Sequence, residues 1–282
     1  MRFHLLLALA LAACSGVTDP SAPPWRRVAS VGPAARWGHA AVYDAKRDRM
    51  LVFAGQSGGG ELADVWALDL ASETWTPLAT GPGPAPRVNP AAVVDPTHDR
   101  MIGVGGRTGL ATLFDDVWAL DLGTLQWTEL AHGPGPRQRA HYATDGAHAW
   151  FYGGEGFLSV FGDLWQLDFS NDAWTELPNA GDAPSSRTCG AMAFLDGALF
   201  VNGGHDIAFV RDGTWRYDLA SERWSRLSTS GGTAAGAHWA YAVDPACGTL
   251  VLAGGDHADN YDTALTDELS LRGAARFSRF PT

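Results

Sequence analysis

Apolar residues in this chain come in short runs broken by turn residues, and one kind of run, ending in small residues, occurs five times. The copies are Met50-Leu51-Val52-Phe53-Ala54-Gly55, Met101-Ile102-Gly103-Val104-Gly105-Gly106, Ala149-Trp150-Phe151-Tyr152-Gly153-Gly154, Leu199-Phe200-Val201-Asn202-Gly203-Gly204 and Leu250-Val251-Leu252-Ala253-Gly254-Gly255. Their last glycines stand 51, 48, 50 and 51 residues apart. Runs of this length, rich in β-branched and aromatic residues and bounded by Gly, Pro and Asp, predict strands. Being apolar at successive positions, they predict strands covered on both faces, and their glycines predict close backbone approach. A tryptophan pair follows in four copies: Trp66/Trp75, Trp118/Trp127, Trp165/Trp174 and Trp215/Trp224, always nine residues apart. The first copy predicts four strands at residues 40–43, 50–54, 65–69 and 75–79, with turns at 44–48 and 71–73. Pro77 suits an outer strand, where its missing N–H faces solvent. A single four-stranded unit cannot bury both of its faces, so the copies must stack, with the tryptophans filling the space between them.

A period near 50 residues separates this pattern from the shorter WD40 repeat. An apolar strand ending in two small residues, a loop, a large apolar residue and a tryptophan seven positions later resembles the kelch repeat. Here the intermediate residue is Leu68, Leu120, Leu167 and Tyr217. The resemblance covers residues 25–280. It implies an all-β, kelch-type β-propeller of five blades, each of four antiparallel strands, with six blades as the alternative. The fifth copy departs from the pattern: it carries Leu269-Ser270-Leu271 and Phe277 and lacks both tryptophans. Trp25-Arg26-Arg27-Val28 aligns with Trp75-Thr76-Pro77-Leu78, so the N-terminus is expected to supply an outer closing strand. Residues 276–280 compete for that place.

Composition narrows the class. Hydrophobic residues make up 46% of the 282, enough for a real core, and 34 glycines and 16 prolines fit a turn-rich fold. A net charge of −11 argues against a nucleic-acid partner, which requires clustered Lys and Arg. Three cysteines cannot form a disulfide framework. Cys189 is expected at a strand end of the fourth copy and Cys247 in a turn at the opposite strand ends of the fifth, too far apart to bond. Residues 1–13 read as a signal peptide: a basic start, then nine residues of only Leu and Ala. Leu11-Ala12-Ala13-Cys14 resembles the bacterial lipobox. That implies lipid attachment at Cys14, a tether over residues 14–24, and an outer-membrane lipoprotein facing the periplasm or cell surface, Ser15 favouring the outer membrane.

The long connections after the glycine pairs, residues 56–63, 107–115, 155–162, 205–211 and 256–266, differ between copies and are where binding groups are expected. Arg36, Arg87, Arg137 and Arg187 recur at the start of the first strand of a copy. In kelch proteins similar arginines bind acidic ligands, and guanidinium matches carboxylates bidentately. The competing reading pairs them with loop acids such as Asp115, Asp163 or Glu155. His39, His141 and His238, with His205 and His257 in the loops, form a second set. Without a recurring carboxylate or thiolate they read as ligand-binding or hydrogen-bonded groups, with no metal assigned. Copper there, or calcium at Asp256, Asp259 and Asp262, is a minor alternative. The favoured function is a non-catalytic binding module for a protein or glycan. Galactose oxidase and sialic acid mutarotases also carry kelch repeats, so the resemblance keeps a carbohydrate-active enzyme as the alternative. For mutarotation Arg107 with Glu155 qualifies. For copper chemistry the required Cys–Tyr crosslink is lacking, since Tyr142 and Tyr241 fall about four residues deeper than Cys189.

Overall fold

A computed structural model describes residues 29, 31–230, 236–257, 266–272 and 276–280. The described residues contain no helix and fold into two compact units, one ending at Leu177 and the other running from Pro178. The first unit holds three four-stranded antiparallel sheets. Their strands are Ala40–Asp44, Arg49–Phe53, Val65–Asp69 and Thr74–Leu78; then Ala91–Asp95, Arg100–Val104, Val117–Asp121 and Trp127–Leu130; then His141–Thr144, His148–Tyr152, Leu164–Asp168 and Ala173–Leu177. The second unit holds Ala191–Leu195, Ala198–Asn202, Thr214–Asp218 and Arg223–Leu227, with Ala180–Gly181 added in parallel, and Ala240–Asp244, Thr249–Ala253, Thr266–Ser270 and Arg276–Phe280. In each sheet the four antiparallel strands lie in chain order, and Ala180–Gly181 lies beside Arg223–Leu227.

The pairing explains the spacing read from the sequence. Leu68 lies opposite Trp75, Leu120 opposite Trp127, Leu167 opposite Trp174 and Tyr217 opposite Trp224. Seven residues is therefore the distance around one hairpin. The turn is closed by an aspartate at the end of the third strand: Asp69, Asp121 and Asp218 accept the N–H of Ser72, Thr124 and Ser221 at 2.7, 2.6 and 2.9 Å. In the fifth sheet Leu269 faces Phe277, so Arg276–Phe280 occupies the outer place beside Thr266–Ser270. This corrects the preference for an N-terminal strand there. Residues 25–28 lie outside the described residues.

Burial follows the second strands, where Met50 to Phe53, Met101 to Val104 and Ala149 to Tyr152 are all buried and only the opening residue of each strand is half-buried. Each described core is a sandwich of two neighbouring sheets. Leu51, Phe53 and Val65 meet Met101, Leu120 and Leu122. Ile102, Val104 and Val117 meet Phe151, Leu167 and Phe169. In the second unit Ala193, Leu195 and Phe200 meet Trp239, Leu250 and Leu269. The second tryptophan of a pair serves this packing, as where Trp127 lies 5.3 Å from the Phe53 ring. At the turn ends of the strands arginines tie sheet to sheet: Arg47 donates to Asp99 at 2.7 and 2.8 Å, and Arg100 to Asp172 at 3.1 Å.

Candidate functional site

The connections after the glycine pairs leave their sheets by a fixed backbone route. The first position of each pair is left-handed, with φ of 62° at Ala54, 59° at Gly105, 65° at Gly153, 60° at Gly203 and 69° at Gly254. The second has φ of 98°, 97°, 91°, 96° and 90° at Gly55, Gly106, Gly154, Gly204 and Gly255, a region that L side chains avoid. A Cβ on Gly106 would stand 3.0 Å from the Val88 carbonyl oxygen and 3.1 Å from the Pro90 nitrogen. Gly55 and Gly106 donate their N–H to the carbonyls of Arg87 and Arg137, each at 2.9 Å. The glycine pair thus joins one copy to the start of the next.

The recurring arginines prove to be part of this joint. Arg87 is 1% exposed; its terminal nitrogens hold both carboxylate oxygens of Asp116 at 2.6 and 2.8 Å, and Nη1 also donates to the Gly105 carbonyl at 2.9 Å. Arg36 grips Asp64 at 2.6 and 2.9 Å, and Arg137 grips Asp163 at 2.8 and 2.9 Å. Arg87 and Arg137 place their guanidinium carbons over Phe114 and Phe161, 4.2 and 4.4 Å from the ring centres. The same carboxylates accept the indole N–H of Trp66, Trp118 and Trp165 at 2.8, 2.9 and 2.7 Å. Burial pushes the carboxyls of Asp64, Asp116 and Asp163 up, but the arginine and indole hydrogen bonds and the arginine charge outweigh it and hold all three below the usual range.

Arg36, Arg87 and Arg137, expected to bind a ligand, give their terminal nitrogens to aspartates and carbonyls within the fold. Of the three loop acids weighed as partners, Asp163 holds an arginine, Asp116 rather than Asp115 serves Arg87, and Glu155 belongs elsewhere. Arg187 departs from the set because Gly213 stands where the aspartate would be. It packs 4.1 Å over Trp215 and donates to the carbonyls of Gly203 and Ser185, each at 2.9 Å. The buried Trp215 indole nitrogen has no hydrogen-bond partner. The fifth copy has Gly236 in the arginine's place, with the Trp239 ring against it. The missed signal was an aspartate two residues before the first tryptophan of three pairs.

Two residues past each arginine position the backbone is again left-handed, with φ of 62° at Gly38, 56° at Asn89, 55° at Arg139, 59° at Cys189 and 58° at His238. These residues are linked copy to copy. Asn89 N–H donates to the Gly38 carbonyl at 2.6 Å, Arg139 to Asn89 at 3.1 Å, and in the second unit His238 to Cys189 at 2.7 Å. The histidines occupy three different registers against this ladder. His238 is on it, His39 is one residue past it, and His141 opens a strand two residues past it, its Nδ1 3.1 Å from the Tyr152 carbonyl. Tyr142 and Tyr241 sit three residues past the ladder in their own copies, one fewer than expected. Cys189 is not disulfide-bonded, so it is not joined to Cys247.

His39 is unusual in its environment. Burial, reinforced by the Arg36 charge, depresses its imidazole to about 4, and its Nδ1 is buried without a hydrogen-bond partner. It is therefore neutral in the folded protein where the unfolded chain would take up a proton. As pH falls from 6.5 towards 4, His39 should cost the fold up to about 3 kcal/mol. Urea-unfolding midpoints at pH 4.5, 5.5 and 7 check this: the decline should be shallower in His39→Asn, and equal slopes would refute it.

Arg107 and Glu155 do not pair. Glu155 accepts from Gln138 at 2.8 Å and from Arg139 at 3.1 Å, while the Arg107 guanidinium donates to the Gly109 carbonyl. His205 bridges antiparallel to Thr188. His257 pairs with Gly236 along the backbone; its side chain, with Asp259, Asp262 and Cys14, lies outside what the structure describes. Large exposed apolar side chains gather on the same connections: Leu110 is 93% exposed, Phe157 66% and Leu158 83%, and in the second unit Ile207 is 77% and Phe209 66% exposed. None of these was singled out from the sequence, because an apolar residue between strands reads equally well as buried.

Repeated four-stranded antiparallel sheets that pack face to face, joined through glycine pairs, define the kelch class of β-propeller. The profile of the KLHDC2/KLHL20/DRC7 Kelch-repeats domain matches residues 17–204 and 77–255 in two overlapping passes, and the chain belongs to the kelch-repeat family. Among similar curated proteins, Acyl-CoA-binding domain-containing protein 4 of Arabidopsis thaliana is 34% identical over 132 residues, 45% of this chain and 19% of that protein. Host cell factor homolog hcf-1 of Caenorhabditis elegans is 35% identical over 127 residues, 38% of this chain and 16% of that protein. Adagio protein 3 of Arabidopsis thaliana is 32% identical over 127 residues, 43% of this chain and 20% of that protein. The matched segments thus span a fifth or less of these relatives. Kelch repeats generally mediate protein interaction.

Proposed function

We propose that this kelch propeller is a protein-binding module, exported and held at a bacterial membrane through Cys14, and that it takes its partner on the connections after the glycine pairs. The observation that carries the reading is the exposure of Leu110, Phe157, Leu158, Ile207 and Phe209 on those connections. Apolar side chains of this size held in water lose nothing structural by being covered and gain from it. The arginines, by contrast, are committed inside the fold, so the partner is recognised through apolar contact rather than through acidic groups. Hydrogen bonds between neighbouring connections favour a preformed surface: Gly109 N–H donates to Glu61 at 2.8 Å. The export reading rests on residues 1–14 of the sequence alone.

The test is site-directed photo-crosslinking of the full chain in its host. A crosslinker at position 157 or 209 should capture a protein partner, and one at Ser72 or Thr124, in turns at the other strand ends, should not. Joint replacement Phe157→Ser with Leu158→Ser should abolish capture from position 110 with an unchanged melting temperature. Equal capture from the turns would refute the surface. Release of Cys14→Ala from the membrane fraction is expected; its retention would refute the anchor without touching the binding reading.

A further inference from the structure

We propose that Cys189, His205 and His238 form a three-donor site for a thiophilic first-row cation of the zinc class, with one coordination place left for a further ligand. The three side chains each bring one ligand atom to within 4.8 Å of the others, and no other group of three such donors occurs among the described residues. Zinc bonds of about 2.3 Å to sulfur and about 2.0–2.1 Å to nitrogen imply donor separations of about 3.3–3.6 Å in a tetrahedral shell. Side-chain rotations of the order of 1 Å therefore close the site. Thiolate with imidazole is the donor set that selects zinc over the hard cations held by carboxylates.

The backbone that presents these donors is fixed on all sides. Cys189 and His238 are successive rungs of the left-handed ladder, joined by the 2.7 Å hydrogen bond from His238 N–H to the Cys189 carbonyl. His205 follows its glycine pair directly and exchanges two backbone hydrogen bonds of 2.9 Å with Thr188, the neighbour of Cys189. The imidazoles of His205 and His238 are 5.0 Å apart between ring centres. Nδ1 of His205 lies 2.6 Å from the Asp206 carbonyl oxygen. A carbonyl only accepts, so Nδ1 carries the proton and the Nε2 lone pair is left for a ligand, the outer-shell arrangement of metal-bound histidine. Arg211 and the N–H groups of Ala208 and Phe209 in turn hold the Asp206 carboxylate.

The first unit uses the corresponding places differently. There Asn89 donates to Gln138 of the next copy at 2.8 Å, and Arg139 donates to Glu155 within its own copy at 3.1 Å. In the second unit Cys189, His238 and His205 stand at the positions of Asn89, Arg139 and Arg107, and a cation would link one copy to the next. Binding deprotonates the Cys189 thiol and releases that proton to solvent.

Equilibrium dialysis of the reduced full-length protein against Zn2+, with Co2+ as the optical probe, tests the site. One Zn2+ per chain is expected, with a thiolate-to-cobalt charge-transfer band for Co2+ and a melting temperature that rises with Zn2+. Cys189→Ser should abolish the band, and Cys189→Ser and His238→Asn should each weaken Zn2+ binding at least tenfold. The metal-free melting temperatures of these variants establish that they are folded. Failure of the wild type to retain Zn2+, or equal retention by folded variants, would overturn the proposal.

Discussion

Asp116→Ala should lower the stability of the protein by about 3–5 kcal/mol, the largest effect expected from any single exposed-to-half-buried carboxylate in it. The substitution leaves the Arg87 guanidinium, 1% exposed, with its charge uncompensated between Gly105 and the Phe114 ring, and takes the acceptor from the Trp118 indole as well. Arg87→Met should cost less than Asp116→Ala, since it removes the buried charge itself, and the double variant should fall short of the sum. Lys46→Ala, at an ion pair whose lysine is largely solvated, is the comparison and should be nearly silent. Urea unfolding of the four proteins measures this. An Asp116→Ala cost no larger than that of Lys46→Ala would mean that the arginine finds water, and would reopen Arg87 as a ligand-binding group. The depressed carboxyls of Asp64, Asp116 and Asp163 add a pH signature: their contribution is complete above the ordinary carboxylate value of 3.8 and is lost as pH falls through their lower folded values.

Gly106→Ala should cost about 2–5 kcal/mol, from a backbone at φ 97° that alanine avoids and a Cβ pressed against backbone atoms of Val88 and Pro90. Gly105→Ala is expected to be milder, although its Cβ would meet the Arg137 carbonyl at 2.6 Å. Ala54 already holds the corresponding place in the first copy at φ 62°, fully buried, so that site accommodates a methyl with a small shift. Differential scanning calorimetry of the two variants decides the matter. Equal costs would show that steric crowding, and not the φ of the second glycine, makes the pair recur.

Much of the repeat is legible in the sequence, for a physical reason. Strand runs, hairpin turns and the Leu68-to-Trp75 spacing are local, and a residue and its partner seven positions away meet across one turn. The fifth copy could be followed on Leu269 and Phe277 despite its missing tryptophans, because they pair across the corresponding hairpin, which is one residue longer there. The glycine pairs also spoke for themselves, since only glycine takes φ near 95°. What the sequence could not say is where a charged side chain ends. Arg36, Arg87 and Arg137 recur at one position whether they face a ligand or an aspartate, and the aspartates are 26 to 29 residues away along the chain. Only the folded-back third strand brings Asp64, Asp116 and Asp163 beneath them. Likewise Cys189, His205 and His238 come from separate strand ends of two copies, and their meeting depends on the ladder that joins one copy to the next. Burial and exposure of the loop aromatics were decided at the same level. Phe114 and Phe161 cover arginines while Phe157 and Phe209 stand in water, a difference set by which side of a long connection faces its own sheet.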